Sequence, residues 1–291
     1  MSILHTAQAP MVNRIKVGDV LVTMLSDGYL DGSFELLSGI TGSKAEALLQ
    51  QRGVSALPRM NINVYVIQTG SQTILVDSGA GNVNGWGGRL PVALAAAGID
   101  PLAIDTLLLT HAHPDHIGGL AGPLRTPHFR NVERVFVHQD ELAFWRNPTI
   151  QASAPDRVKP YFELAQNAFA AYDPQLVPFK HEAILPGIQA VPLPGHTPGH
   201  TGYLVGNEQK SLLIWGDIVH FPHIQVEHPE VTIAFDSDPA TAEATRKRLL
   251  ERVATDKLGI TGMHFNAPVT ATVNRSDAGF SLQYDGWSPA V

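Results

Sequence analysis

The stretch His111-Ala112-His113-Pro114-Asp115-His116 constrains this chain more than any other. It packs four potential metal ligands into six residues, directly after the apolar run Leu107, Leu108, Leu109, Thr110. Such a run reads as a buried strand, so the motif lies where a strand leaves its sheet for a loop. Imidazole nitrogens and a carboxylate oxygen suit zinc or a similar first-row divalent ion. Alternation sends His111 and His113 to one side, whereas Asp115 and His116 turn towards a neighbouring point. That split points to two metals rather than one.

Composition narrows the rest. The chain has no cysteine, so a metal must rest on His, Asp and Glu, and no disulfide can form. A formal net charge of -7 weighs against binding phosphate backbones, and nucleic acid is not an expected partner. No apolar stretch approaches the roughly 20 residues that cross a bilayer. Residues 1–12 lack the basic start and apolar core of a signal peptide, which makes the cytoplasm the expected location and leaves no membrane partner. With 291 residues, 44% of them hydrophobic, the chain reads as one domain over 1–291.

Taken in order, residues 19–25 form a strand closed by a Ser26-Asp27-Gly28 turn. Residues 43–52 form a helix, with Ser43 and Glu46 as a capping box and Gly53 as its stop. Ile62, Val64 and Val66 alternate with Asn61, Asn63 and Tyr65, and a Gly70-Ser71 turn leads to a strand at 73–76 ending on Asp77. Five glycines between Gly79 and Gly88 make a loop around Trp86, and 89–97 is helical up to Gly98. Beyond the metal motif, Gly118 and Gly119 are expected to open a short helix. A strand at 133–137, a helix holding Leu142, Phe144 and Trp145, a surface loop between Pro148 and Pro155, and an amphipathic helix at 161–172 follow. Strands return at 188–191, 202–205 and 211–215. Asp238 caps a helix reaching about residue 255, a strand at 258–263 leads to His264, and 270–274 pairs with 279–284. Strands, helices, strands and helix make an α/β arrangement with helices outside. The run 218–235 is too rich in Ile, Val and Phe for a solvent loop; a dimer contact, a lid, or burial on the chain's own core would each explain it.

Three further residues sit in Gly/Pro turns or end apolar strands: His196 in Pro194-Gly195-His196-Thr197-Pro198-Gly199-His200, Asp217 in Trp215-Gly216-Asp217, and His264 in Gly262-Met263-His264. In a chain with 13 histidines, one such His by itself reads as an ordinary core or surface side chain. With the 111–116 cluster, the set resembles the metallo-β-lactamase superfamily of hydrolases over about residues 17–285. The resemblance implies an αββα sandwich with a dinuclear metal site at one edge. It puts His111, His113 and His196 on one metal, Asp115, His116 and His264 on the other, and Asp217 between them. Two divalent ions are implied, zinc foremost, with manganese, iron and cobalt suited to the same donors. His200 and Asp77 are expected to orient neighbours rather than ligate. His128, His138 and His181 have no context beyond surface or packing use.

Subfamily features sharpen the expectation. A bridging Asp217 and the absence of Cys separate the chain from antibiotic-cleaving members, and His113 stands where flavodiiron proteins carry Glu. Of two candidate groups, the N-acyl homoserine lactonases and the methyl parathion hydrolase group, the stretches 216–221 and 231–238, with Phe144-Trp145, look most like the second. Many lactonases place a Tyr three residues after the bridging Asp; here His220 stands there, able to donate a hydrogen bond to a developing oxyanion. The expected activity is opening of lactones or cleavage of aryl esters by a metal-bridging hydroxide, with organophosphate triesters as secondary substrates. Asp115, Asp217 and His220 are the expected catalytic residues, and Trp86, Trp145 and Phe221 the pocket for a small apolar substrate. The resemblance also implies a homodimer. The alternatives are a primary phosphotriesterase, a regulatory protein with a dead site, and a glyoxalase II-like thioesterase. The last needs cations such as Lys180 or Arg246 to Arg248 to grip glutathione, yet the latter group reads as the solvated face of a helix.

Overall fold

The structure, a computed structural model, describes residues 8–9, 11–122, 124–180, 183–207, 209–267, 269–276 and 279–291. The expectation for His181 lies outside them, as does that for most of 1–12. The first half runs β1 (Val12–Val17), β2 (Val20–Asp31), β3 (Leu37–Ser38), α1 (Gly42–Gln51), β4 (Arg59–Gln68), β5 (Thr73–Val76), α2 (Leu90–Ala97), β6 (Thr106–Leu108), α3 (Pro114–Ile117), β7 (Arg134–His138), α4 (Gln139–Trp145), α5 (Pro148–Ser153), α6 (Lys159–Ala171) and β8 (Leu176–Phe179). The second runs β9 (Ala183–Leu185), β10 (Ile188–Pro192), β11 (Thr201–Gly206), β12 (Ser211–Ile214), α7 (Pro222–Gln225), β13 (Thr232–Ile233), α8 (Pro239–Asp256), β14 (Gly259–Thr261), β15 (Ala271–Ser276) and β16 (Gly279–Tyr284). One sheet has the order β1-β2-β4-β5-β6-β7-β8, the other β16-β15-β14-β12-β11-β10-β9, and β3 pairs with β13.

Apolar faces decide the layering. Met24, Tyr65, Ile67 and Val76 of the first sheet meet Tyr203, Val205, Leu212 and Ile214 of the second in a dry interface. The first sheet's other face, with Leu25, Val64, Val66 and Leu107, packs on Leu94, Trp145, Phe162 and Phe169 from α2, α4 and α6. The second sheet's outer face sets Leu213 and Ile260 against Leu249, Leu250 and Val253 of α8. Each such side chain contributes ~1.5–3 kcal/mol on burial, which holds helix, sheet, sheet and helix together as the expected αββα sandwich. Among the described residues no helix is long and apolar enough to cross a membrane.

Several local expectations change. Residues 26–28 do not close a strand: β2 passes through them with a register shift between Ser26 and Gly28. The bulge turns Asp27 inward, where its carboxylate accepts from the N–H groups of Ala80, Gly88 and Leu90 and pins the glycine-rich loop. Thr41, not Ser43, caps α1 by accepting from Lys44 N. Gly118 closes α3 instead of opening a helix, and a Cβ on it would lie 2.1 Å from Ala80 O, so only glycine permits that approach. Residues 148–153 are helical, with Asn147 as cap and Pro148 at the first position. Asn63 and Tyr65 are buried and Asn61 is half-buried; their side chains bond to carbonyls at Gly262 and Phe265 and tie the two sheets together beside His264.

The run 218–235 lies on the chain's own core. Ile218, Val219 and Val226 join the cluster with α8, and Phe221, Ile224, Val231 and Ile233 pack near α1. Its anchor is Arg246, 1% exposed rather than solvated, which donates to the carbonyls of Ile218, Pro229 and Val231. Helical periodicity marks a position's face but not what meets it, so this buried cation was hidden among the exposed Lys247 and Arg248.

Candidate metal centre

Parallel pairing brings the strand ends to one edge. β5 runs parallel to β6, and β12 parallel to β14. Their carboxyl ends therefore deliver Asp77, the His111 segment, Asp217 and His264 to one place, where loops can carry function. The loop between β10 and β11 adds His196. His111 Nε2 lies 3.0 Å from His113 Nδ1, which lies 2.9 Å from His196 Nε2. Asp115 Oδ2 is 3.5 Å from His116 Nε2 and 3.7 Å from His264 Nε2. Asp217 Oδ2 stands between the groups, 3.0 Å from His264 Nε2, 3.2 Å from His116 Nε2, 3.5 Å from His196 Nε2 and 3.8 Å from His111 Nε2.

The outward ring atoms show why this convergence calls for cations. His116 Nδ1 donates to Asp77 Oδ2 at 2.8 Å, His196 Nδ1 to Asp236 Oδ1 at 2.9 Å, and His264 Nδ1 to Asn61 O at 2.6 Å. His111 Nδ1 donates to Thr110 Oγ1 at 3.1 Å, whose own hydrogen goes to Asp77 Oδ2 at 2.7 Å. With those nitrogens protonated, the inward ones carry lone pairs. Lone pairs and carboxylate oxygens aimed at a common space repel one another unless a positive charge stands between them. The donor set, nitrogen and oxygen without sulfur, fits divalent metals.

Electrostatics show the same demand for positive charge, which without a cation is met by protons on His116 and His264. Burial, then the neighbouring imidazoles, push His111 and His113 well below the usual range, leaving them in the neutral, ligating form. Burial opposes charge on His116 and His264, but Asp217 and Asp115 outweigh it and hold both above their ordinary value. Burial would also raise Asp217, yet His116 and His264 keep it well below the carboxylate range. His200, pushed down to about 3 chiefly by burial, accepts from Asp217 N at 2.9 Å and donates to Leu193 O. It therefore orients the Asp217 backbone, and Asp77 orients His116, as expected of both.

His220 stands beside this group. Its Nε2 is 3.3 Å from Asp217 Oδ2, its ring stacks on His264 at 5.0 Å, and its buried Nδ1 has no partner among the described residues. A cavity of about 350 Å³ opens over the floor, lined by Trp86, Phe144, Trp145, Tyr161 and Phe235 among others. Trp86 and Trp145 are thus where expected, but Phe221 is not. It packs on Phe34 at 5.6 Å and faces a smaller cavity of about 110 Å³ behind His220 and His264. The cause is local: Phe221 caps α7, and that short helix turns its ring into the α1 cluster.

Sequence reasoning missed Glu141. Its buried carboxylate accepts from Ala112 N, Trp145 Nε1, Thr197 Oγ1 and Gly199 N, tying the 111–116 loop to the 194–200 loop. Burial raises its pKa despite the four donors. An acid one turn before a Trp in a helix next to the motif was the available signal. Asp236 was visible only as part of a motif, its bond to His196 unforeseen. His128 donates to Gly119 O, and His138 caps α4.

The model of the metallo-β-lactamase superfamily matches residues 57–257, more than two thirds of the chain. The chain belongs to this superfamily. Its fold is similar to that of AbOPH, a hydrolase of the beta-lactamase superfamily, at 28% identity and TM-score 0.90 over 97% of this chain and 100% of that one. AidC, a dizinc quorum-quenching lactonase solved with an acyl-L-homoserine product, matches at 25% identity and TM-score 0.89 over 96% and 99%. Hydroxyacylglutathione hydrolase of Shewanella oneidensis is 28% identical over 52% of this chain and 48% of its own length. The chain spans about half of that relative, and as little as 18% of another curated one. The expected class, a metal-dependent hydrolase of the metallo-β-lactamase superfamily, agrees with these neighbours.

Proposed function

We propose that this superfamily member is a dinuclear metal hydrolase that opens lactones or cleaves aryl esters of small, apolar substrates. The observation that carries the reading is Asp217 Oδ2, set between two donor groups and within 3.8 Å of five imidazole nitrogens, beneath an apolar cavity. His111, His113 and His196 would hold one ion, Asp115, His116 and His264 the other, and Asp217 both. Two divalent cations, zinc foremost, would supply activated water at neutral pH and polarise the substrate carbonyl.

The chain's own groups complete the chemistry. Asp217 Oδ1, buried without a hydrogen-bond partner among the described residues, would take the proton of the attacking water and return it to the leaving alkoxide. His220, pushed down to about 4 by burial, is neutral at pH 7 and offers one ring N–H to the developing oxyanion. A preorganised donor of that kind lowers a barrier by about 3 kcal/mol. Trp86, Trp145 and Phe235 exclude water and present an apolar face to the acyl or aryl group. A phosphotriester presents its phosphoryl oxygen to the same floor and is the expected secondary substrate. Of the cations named for a glutathione thioester, Arg246 is committed to backbone carbonyls and Lys180 does not line the cavity, which leaves Arg157 as the cation there and the thioester as the second reading for the assay to decide.

The test is a side-by-side initial-rate assay of metal-loaded protein on an acyl homoserine lactone, an aryl ester, a phosphotriester and a glutathione thioester, repeated after chelation. The lactone or the aryl ester should be fastest, and chelator should abolish its turnover. Turnover of the thioester alone would sink the substrate class.

A further inference from the structure

Among the described residues Arg157 is the one Lys or Arg side chain lining the cavity of about 350 Å³ over the floor. It is exposed at the rim, in the turn that leads into α6, and the acids around it are engaged elsewhere. Asp156 is bonded to Lys159 Nζ at 2.8 Å, and Asp236 to His196 at 2.9 Å with Arg246 at 3.8 Å. Asp115 and Asp217 belong to the floor. Among the described residues Arg157 has neither an ion pair nor a side-chain hydrogen bond.

Tyr161, in the first turn of α6, lines the same cavity four residues on. It is half-buried, and its hydroxyl makes no hydrogen bond among the described residues. After burial, the charge of Asp115 and then the opposing charge of Arg157 act on its phenol, which puts Tyr161 within electrostatic reach of both floor and rim. Two donors without a partner among the described residues thus line the cavity together with the apolar Ile150, Val158 and Phe162. In a chain of net charge -7, a lone cation there is the feature that most favours an anion.

We propose that Arg157 and Tyr161 form an anion subsite that takes a carboxylate at the end of the substrate remote from its scissile ester or lactone bond. The inference rests on the hydrolase reading above and names the substrate class more closely. The planar guanidinium presents two parallel N–H groups to a carboxylate, and the phenol donates a further bond. The apolar middle of the cavity holds the spacer between the two ends.

The experiment compares kcat/KM of the metal-loaded full chain for two lactones alike in shape, one ending in a carboxylate and the other in the neutral primary amide. The acid should be preferred about fivefold, the effect of one partly exposed charge-assisted contact. The preference should shrink at high salt and disappear through KM in Arg157→Ala. It should survive in part in Arg157→Lys and weaken in Tyr161→Phe, where only the hydroxyl is removed. Arg252→Ala, which deletes a like charge from the exposed face of α8, should leave it intact. An unchanged preference in Arg157→Ala, or none in the wild type while the amide is hydrolysed, overturns the subsite and leaves the hydrolase reading standing. Hydrolysis of neither lactone, nor of an aryl ester run beside them, overturns the hydrolase reading and the subsite with it.

Discussion

The floor and the wall of the large cavity are built on opposite principles. On the floor, the outward nitrogens of His111, His116, His196 and His264 each have a hydrogen-bond partner in a further layer, Thr110, Asp77, Asp236 and Asn61. On the wall, Ile150, Tyr161 and Phe235 are only partly buried, and Tyr161 and Arg157 have no partner among the described residues. A floor held from behind keeps its donors in position against their mutual repulsion, which chemistry at a metal requires. A wall of half-exposed side chains can change with little cost to the fold. The difference assigns reaction type to the floor and substrate choice to the wall.

That division can be broken at defined points. Asp217→Asn should have the largest effect, lowering kcat about a thousandfold by weakening the charge shared between the donor groups. Metal analysis beside the rates would show whether ion content falls with turnover. Glu141→Gln keeps the shape but turns an amide towards Thr197 Oγ1 and Gly199 N. It should cost about 2 kcal/mol in urea unfolding and weaken metal binding about tenfold, though Glu141 touches no ligand atom. Wild-type stability and metal affinity in that variant would show that the two loops hold each other without it.

A third prediction concerns pH. His200 has a folded pKa of about 3 against 6.5 in the unfolded chain, so the unfolded state binds more protons between those values. The contribution is fully present above pH 6.5 and is lost as pH falls towards 3, at roughly 1 kcal/mol per pH unit in the metal-free protein. Urea midpoints from pH 7.5 downward would measure the slope, which His200→Asn should reduce. The smallest effect belongs to the wall. Ile150→Ala should raise KM for a long-chain lactone about threefold and leave Tm nearly unchanged. An equal loss for a short-chain lactone would mean that the wall does not sort substrates.

Much of this arrangement was legible beforehand, for identifiable reasons. The cluster 111–116 is local, so its chemistry shows in six consecutive residues, and the strands feeding it announce themselves by apolar runs. The helix 239–256 was readable because Asp238 and Pro239 mark its start. By contrast, the bulge at Asp27, the helix 148–153 and the strand Leu176–Phe179 carry no strong pattern. Phe221 followed the motif in sequence, yet α7 turned it into another cluster.

Residue types and spacing alone determined the donor chemistry and an α/β arrangement with helices outside, because each depends on short-range pattern, and the motifs carried the resemblance that implied the αββα sandwich. Only the tertiary structure decided which groups stand behind the donors, that Arg246 is buried, and that Glu141 joins the loop at Ala112 to the distant loop at Thr197. Those facts depend on which distant segments the parallel strand pairs bring to one edge. A buried charge finds its partner there through packing, which no periodicity along the chain records.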